Sequence, residues 1–371
     1  MEPVPPAAAV SPTQLSARCF AGLRLARYAI ELRAVEAARL PAFSGTTLRG
    51  AFGYALKRAV CVMPHRDCAK CLLADRCTYP FVFETAPAAG SKLESQQNAP
   101  HPFALEPPIE DKGTRGQGEG PGESRSSPRI LAPGDAITFG LSLYGRAIES
   151  LPYIVFAIHG MAENGLGAGR ARFDLTRVES LDPDGARHSH YDPKSGRLDS
   201  LHATGAGLDQ WVEARLAAMP FKPETLALRF RTPARIKSDD QLQPRPSFDL
   251  LVRNLLRRVS MLAELYGDAP LDLDYGGLLA RAATVTVRSS ALHWWDVERF
   301  STRQQTAMRM GGFVGTIEFA GAAIGDFLPL FAAGELMGIG KGTGFGLGRF
   351  ELVAQTVEFA PRNDPGECGS G

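Results

Sequence analysis

Apolar and polar positions alternate with period two over residues 22–33 (GLRLARYAIELR), which predicts a first strand carrying Leu23, Leu25, Ile30 and Leu32. The spacing then changes. Ser44-Gly45-Thr46-Thr47 offers an N-cap, and Leu48, Phe52, Ala55, Leu56 and Ala59 recur at helical intervals behind it. Residues 79–85 (YPFVFET) read as a second strand. Residues 86–134 are dominated by Pro, Gly, Ser and charge, and are expected to form a mobile loop holding at most a short strand near HPFAL. Alternation returns over 135–144 (DAITFGLSLY), an apolar helix follows, and ARFDLTRV closes the unit as a strand, giving the order β-α-β-β-α-β. Residues 180–210, with DPDG and DPKSG, read as a hairpin and connector.

The second half repeats that order. TLALRFRTPARI is a strand, and Phe248, Leu251, Val252, Leu255, Leu256, Val259, Leu262 and Leu265 mark the apolar face of a long helix. Arg253, Arg257 and Arg258 are assigned to its opposite face. Strand ATVTVRS, an irregular stretch HWWDVERFSTRQQ, strand GGFVGTIEFAG, helix DFLPLFAAGELM, a glycine-rich loop and strand RFELVAQTV complete the set. Residues 151–175 align with 328–352 at a constant offset of 177, pairing Leu151-Pro152 with Leu328-Pro329. The same offset pairs Gly165, Gly167 and Gly169 with Gly342, Gly344 and Gly346, and Arg172-Phe173 with Arg349-Phe350. The predicted fold is therefore α+β: two tandem ferredoxin-like domains, residues 1–200 and 201–371, each an antiparallel sheet with helices on one face.

Composition adds limits. At 371 residues and 44% apolar the chain can fill two cores, and a formal charge of +1 gives no global attraction for a polyanion, so any such site must be a local patch. No apolar stretch is long enough for a membrane span and the start has no signal-peptide order, so the expected location is the cytoplasm, with no membrane partner.

The loop at 338–348 tempts comparison with a phosphate-binding loop, but it follows a helix and precedes a strand, and Glu335 and Gly342 stand where a Walker A motif needs Gly and Ser/Thr. Alternate glycines at Gly340, Gly342, Gly344 and Gly346 would leave backbone N–H groups bare for a sugar-phosphate chain, with Lys341 and Arg349 adding charge. The bland alternative is a tight helix-to-strand crossover. The first copy, with Asn164 where the second has Lys341, is read as structural.

Four of the six cysteines, Cys61, Cys68, Cys71 and Cys77, lie in the spacing C-x6-C-x2-C-x5-C. In a cytosolic chain this suits tetrahedral structural zinc over residues 61–77, with an iron–sulfur cluster as the rival; such a closed site would brace a loop and catalyse nothing. Among the histidines, His159 on an apolar helix is expected in the core, and His188 and His190 on an exposed loop. Trp294-Trp295 reads either as interface packing or as a base-stacking pair.

The segments SGTTLRGAFGYAL, the cysteines running into CTYPFVFE, LPYIVFAIHGMAENGLGAGR, RFRTPARIK, RFSTRQQ with GGFVGTIEF, and GIGKGTGFGLGRFEL together resemble the CRISPR-associated RAMP superfamily. Within it the chain is most similar to the endoribonucleases that cut precursor CRISPR RNA. The resemblance implies metal-independent cleavage by the 2′-hydroxyl, CRISPR repeat RNA as partner, and other CRISPR effector subunits as further partners. It also implies a histidine base on or after the first helix, where this sequence holds Tyr54 instead; the nearest histidine is His65. Tyr54, Lys57 and His65 are the candidate catalytic residues. Arg49, Arg58, Arg257, Arg258, Arg303 and Arg349, with the loop around Lys341, are the candidate RNA contacts. Three readings stay open: a processing nuclease, a RAMP subunit that binds guide RNA without cutting, and an unrelated tandem ferredoxin-like binding module.

Overall fold

A computed structural model describes residues 15–63, 67–85, 99–109, 127–199, 204–219, 224–301 and 306–353, the side chains of 298–301 and 306–309 excepted. The first module runs β1 (Arg24–Ala34), α1 (Gly45–Val60), α2 (Thr78–Phe83), β2 (Phe103–Glu106), β3 (Ala136–Tyr144), α3 (Leu151–Asn164) and β4 (Phe173–Leu181). A helix α4 (Leu208–Ala217) leads to the second: β5 (Thr225–Ala234), α5 (Phe248–Tyr266), α6 (Tyr275–Ala282), β6 (Thr286–Trp295), β7 (Gly312–Ala320), α7 (Ile324–Met337) and β8 (Phe350–Val353). The sheets order as β2-β3-β1-β4 and β6-β7-β5-β8, the same path twice, with every pairing antiparallel. The tandem ferredoxin-like expectation holds.

Three assignments change. Residues 79–85 are not a strand: Tyr79, Val82 and Phe83 share a helical face, Val82 and Phe83 are buried, and Pro80 sits in the first turn, where a missing N–H costs nothing. The second strand of the first module is instead Phe103–Glu106, inside the stretch read as loop; residues 86–98 and 110–126 of that stretch lie outside the described residues. Trp294 and Trp295 are not irregular but end β6, paired with Phe313 and Gly312, and Glu298–Ser301 pairs with Thr306–Arg309 beyond them.

The repeat is real, but its gapless alignment is not its structural register. The helices begin at Leu151 and Ile324, an offset of 173, whereas the strands begin at Phe173 and Phe350, an offset of 177. Both helices stop at a glycine of positive φ, Gly165 (85°) and Gly338 (74°). Leu166 bridges Ala171 in the first loop, and Ile339 donates to the Gly348 carbonyl in the second. The second loop thus carries four extra residues within the same frame.

The cores interpenetrate at the junction. Phe20, Leu23, Leu25, Ala104 and Tyr144 belong to the apolar cluster of the second module, together with Leu208, Trp211 and Val212 of α4. Trp211 donates to the Leu25 carbonyl (3.2 Å), and Arg215 of α4 pairs with Glu335 of α7 (2.5 and 3.0 Å). Among the described residues no helix is long and apolar enough to cross a membrane.

Candidate nucleic-acid interface

The segment entering β2 is pinned from both modules. The Tyr266 hydroxyl of α5 donates to the Pro100 carbonyl (2.7 Å), and the Tyr144 amide donates to Pro102 (2.9 Å). Between them, His101 stacks on Phe103 (5.7 Å between ring centroids, 17°), and its Nε2 accepts from Arg49 Nη2 of α1 (2.9 Å). Arginine has no acceptor, so this contact assigns the Nε2 lone pair to Arg49 and the proton of the neutral ring to Nδ1. Burial first, then the charges of Arg49 and Arg258, lower His101 to about 4, so the imidazole is neutral at pH 7.

Arg49 is itself held by aromatic faces, 4.2 Å from the Phe345 centroid and 5.3 Å from that of Phe83. Phe83 stacks on Tyr79 (5.6 Å, 14°), and Lys57 Nζ lies 5.2 Å from the Tyr79 ring. A ladder of cations and rings therefore runs from Lys57 to the glycine loop of the other module. That loop does not lie bare. An added Cβ at Gly45, the first residue of α1, would collide with the Phe345 carbonyl, and one at Gly346 (φ 80°) would collide with Pro107. The amides of Ile339, Lys341, Phe345, Gly346, Leu347 and Gly348 all bond protein carbonyls. At Gly346 the side chain is absent so that the two modules can touch, and its amide, expected to be bare, donates to the Thr343 carbonyl.

Lys341 stays exposed at the lip of a cavity of about 360 Å³ between the modules. Lys237, Arg257, Arg258 and Lys341 supply four cations, His101 and Pro100 form the wall from the first module, and Gly340 to Phe345 form the rim. No carboxylate is among its described lining residues, although Asp240 lies 3.6 Å from Lys237 Nζ. This is a local positive patch on a chain of formal charge +1.

The arginine candidates do not all face outward. Arg258 does not face away from the apolar stripe: it is buried, donating from Nε and Nη2 to the Met337 carbonyl (3.1 and 2.8 Å) at the C-terminal end of α7. Arg257 is on the exposed face, as expected. Arg349 turns inward to Glu106 (2.8 Å) and the Leu336 carbonyl (3.0 Å), with Arg27 on the same carboxylate (3.0 Å). Burial would raise the Glu106 carboxyl, but Arg349 and Arg27 outweigh it and hold it below the usual range. Arg349 is thus a clamp between modules.

Tyr54 is 64% exposed on α1 with the Arg58 guanidinium 5.8 Å from its ring, and neither these two nor Lys57 lines the cavity. His65 and Arg303 lie outside the described residues. His159 is not in the core but half-exposed beside Glu163 (3.6 Å). His190 is not exposed but buried, bonded to the Asp199 carbonyl (2.7 Å) and Ser180 Oγ (2.8 Å). His188 is partly exposed and meets Asp182 (2.8 Å). Trp295 packs edge-on to Phe43 (6.1 Å, 89°), while Trp294 is 41% exposed.

The cysteines do not converge. Cys61, Cys68, Cys71 and Cys77 are free, and among the described residues no three His, Cys, Asp or Glu side chains are arranged to hold a metal ion. The Cys68 thiol is raised, by burial first and then by Glu84, which also hydrogen-bonds it.

His101 escaped the sequence reading because HPFAL lay in a stretch read as loop, far in sequence from every other candidate. Its only signal was a histidine opening a short apolar alternation.

Residues 228–350 match the family described as CRISPR-associated endoribonuclease Cas6, and residues 23–203 match AF_1859_N, described as an N-terminal domain. The sequence is 22% identical over 316 residues to an uncharacterized protein of Archaeoglobus fulgidus, covering 84% of this chain and 92% of that one. The fold is similar to that of Thermus thermophilus Cas6 (16% identity, 89% of this chain and 99% of that chain, TM-score 0.47). It is also similar to a chain of a partial Cas6-RT-Cas1–Cas2 complex (12% identity, 95% of this chain and 49% of that chain, TM-score 0.53). The second module thus matches the Cas6 family over residues 228–350, and both modules share one tandem fold.

Proposed function

We propose that this protein cuts precursor CRISPR RNA within its repeats, without a catalytic metal, and that the scissile region lies across the cationic cavity between the modules. The observation that carries the reading is that cavity: four cations from one module facing His101 of the other, on a chain with almost no net charge. In the reaction a base takes the proton of the 2′-hydroxyl and its oxygen bonds to phosphorus. The P–O5′ bond then breaks as an acid protonates the leaving oxygen, leaving a 2′,3′-cyclic phosphate and a 5′-hydroxyl. Lys341 and Arg257 are suited to stabilising the charged phosphorane. Tyr54, Lys57 and His65 remain the candidates for proton transfer, with Arg49 and Arg58 as candidate RNA contacts. Arg303 belongs to the same reading.

Incubating the purified protein with its repeat RNA in EDTA tests this: a cyclic-phosphate product is expected. Tyr54→Phe, Lys57→Ala and His65→Ala, assayed separately, then identify the group that moves the proton. One observation favours a second reading, a RAMP subunit that binds guide RNA without cutting: neither Tyr54 nor Lys57 lines the cavity. Tight, sequence-selective binding with intact RNA after long incubation is its outcome. CRISPR effector subunits are proposed as partners on either reading. Structural zinc remains a proposal resting on cysteine spacing alone, and elemental analysis of the purified protein decides it: one zinc per chain is expected, and none would remove it.

A further inference from the structure

The cationic cavity does not end at Arg257. That residue and Met261 are also walls of a second, open hollow of about 270 Å³ between α5 and α6. A hollow of this size falls below the usual range for drug-sized ligands, about 300–1,000 Å³, and suits a single base. Its polar lining is ordered along one helix. Arg253, Arg257, Ser260 and Glu264 recur on α5 at intervals of four, three and four residues, so they share one face. From Arg257 to Glu264 the helix rises about 10 Å, on the order of one nucleotide from its phosphate to the far edge of its base.

Tyr275 of α6 closes the other side. Ser260 Oγ gives its only hydrogen to the Leu256 carbonyl (2.7 Å), so at the 2.8 Å contact with the Tyr275 hydroxyl the tyrosine is the donor. The ring is thus anchored at one end, yet the residue is 38% exposed. An anchored ring with an open surface is a stacking platform that has little rotamer freedom left to lose. Glu264 gives the groove its selectivity. It is the one carboxylate among the described lining residues, and neither it nor Arg253 has a hydrogen-bond or ion-pair partner among the described residues. A phosphate would be repelled there, whereas a base edge carrying N–H donors would be held, because an ionised carboxylate only accepts. Guanine alone among the four bases sets two adjacent donors, N1–H and N2–H, opposite two carboxylate oxygens. Adenine and cytosine place a ring-nitrogen acceptor beside the amino group, and uracil places a carbonyl on each side of its N3–H.

Resting on the reading that RNA crosses the cationic cavity, we infer that the α5–α6 groove is a guanine-selective subsite for a single-stranded nucleotide next to the segment in that cavity. Arg253 pairs with its phosphate beside Arg257, the Tyr275 ring stacks on the base, and the Glu264 carboxylate accepts from guanine N1–H and N2–H. The groove reads the RNA and takes no part in breaking it. A base that leaves the carboxylate facing an acceptor is rejected, since a site built around a hydrogen bond discriminates against partners that cannot make it.

The test measures anisotropy binding of the full-length protein to repeat RNA in which each guanosine in turn is replaced by inosine, which keeps N1–H and lacks the N2 amino group. At one position the replacement is expected to weaken wild-type binding about 10-fold, the loss of one hydrogen bond to a charged group, while Glu264→Ala binds both RNAs alike. Tyr275→Ala should weaken binding of the unmodified RNA about 10-fold, within the range for one stacked base, and Tyr275→Phe should keep most of the affinity because the ring remains. The inference is overturned if no inosine effect vanishes in Glu264→Ala, or if Tyr275→Ala binds like wild type. Equal losses in Tyr275→Ala and Tyr275→Phe, with melting temperatures lowered alike, would make the tyrosine a packing residue and also overturn it. Because inosine changes only the RNA, a wild-type scan with no sensitive position sinks the inference even where a variant fails to fold. Lys341→Ala separates this failure from that of the underlying reading. If it weakens binding while the groove variants do not, the inference falls alone; if it leaves binding unchanged, RNA does not cross the cavity and both fall.

Discussion

Changing Glu106→Gln keeps the side chain's shape and deletes the charge that joins the two modules. In the native protein its carboxylate faces Arg27 at 3.0 Å, Arg349 at 2.8 Å and Ser142 Oγ at 3.3 Å, with the Glu106 and Arg349 side chains 22% and 12% exposed. Removing one partner of a buried pair typically costs about 3–5 kcal/mol, and the remaining exposure screens part of it, so about 2–4 kcal/mol is expected here. The pH dependence carries a definite sign. The folded Glu106 value lies below its unfolded one, so its contribution is complete above the unfolded carboxylate range and is lost as pH falls through the folded value. Urea unfolding from pH 7 down to pH 3 should therefore show the wild type converging on the variant at low pH. A difference under about 0.5 kcal/mol at pH 7, or a gap that persists unchanged at pH 3, refutes the clamp. RNA binding supplies an independent check. Were Arg349 an RNA contact restrained by Glu106, the substitution would release it and tighten binding, whereas a clamp predicts no gain.

Lys341→Ala and Arg257→Ala should each weaken repeat-RNA binding and lower the slope of log K against log salt by about 0.7–0.9, read from anisotropy titrations across salt concentrations; unchanged slopes would place the RNA elsewhere. Gly346→Ala adds a Cβ at φ 80° against Pro107, and thermal melts should report a loss of about 1–3 kcal/mol; a neutral result would mean the loop is free to move off the first module.

The strands and long helices were legible because their periodicity was strong. β1, β3, β4, β5, β7, α1, α5 and α7 form where the alternation or the helical spacing placed them, and of the named helix positions only Ala59 and Leu265 are partly rather than fully buried. The failures have identifiable physics. YPFVFET is too short for period two and period 3.6 to be told apart, and β-rich composition favoured the wrong one. β6 was cut short because an edge strand has few buried positions: most of Thr286–Trp295 is exposed, so no alternation marks it. Arg258 followed Arg257 in sequence but is rotated into the core, where the carbonyl ending α7 makes burial of a guanidinium tolerable. His159 and His190 exchanged expected environments for the same kind of reason. The helix turns His159 outward toward Glu163, and two hydrogen bonds satisfy His190 inside. The Arg49–His101 contact joins residues 52 apart across a tertiary junction, and no local pattern encodes it.

The duplicated frame explains why the site forms on one side only. In the first module the loop after α3 closes at once, Leu166 on Ala171, and Gly167 rests against the carbonyl of Arg39 within its own module. In the second, Gly340 rests against the carbonyl of Arg235 in the same way, but four further residues intervene before Gly348 closes on Ile339. Those residues project the loop outward until Phe345 meets Arg49 and Gly346 meets Pro107. They also leave Lys341 at the lip of the cavity, facing a histidine that the first module supplies. A duplication alone would give two equivalent loops and no composite cavity. The insertion makes one copy bind the other, so the cationic site depends on both modules being docked and should disappear in either one alone.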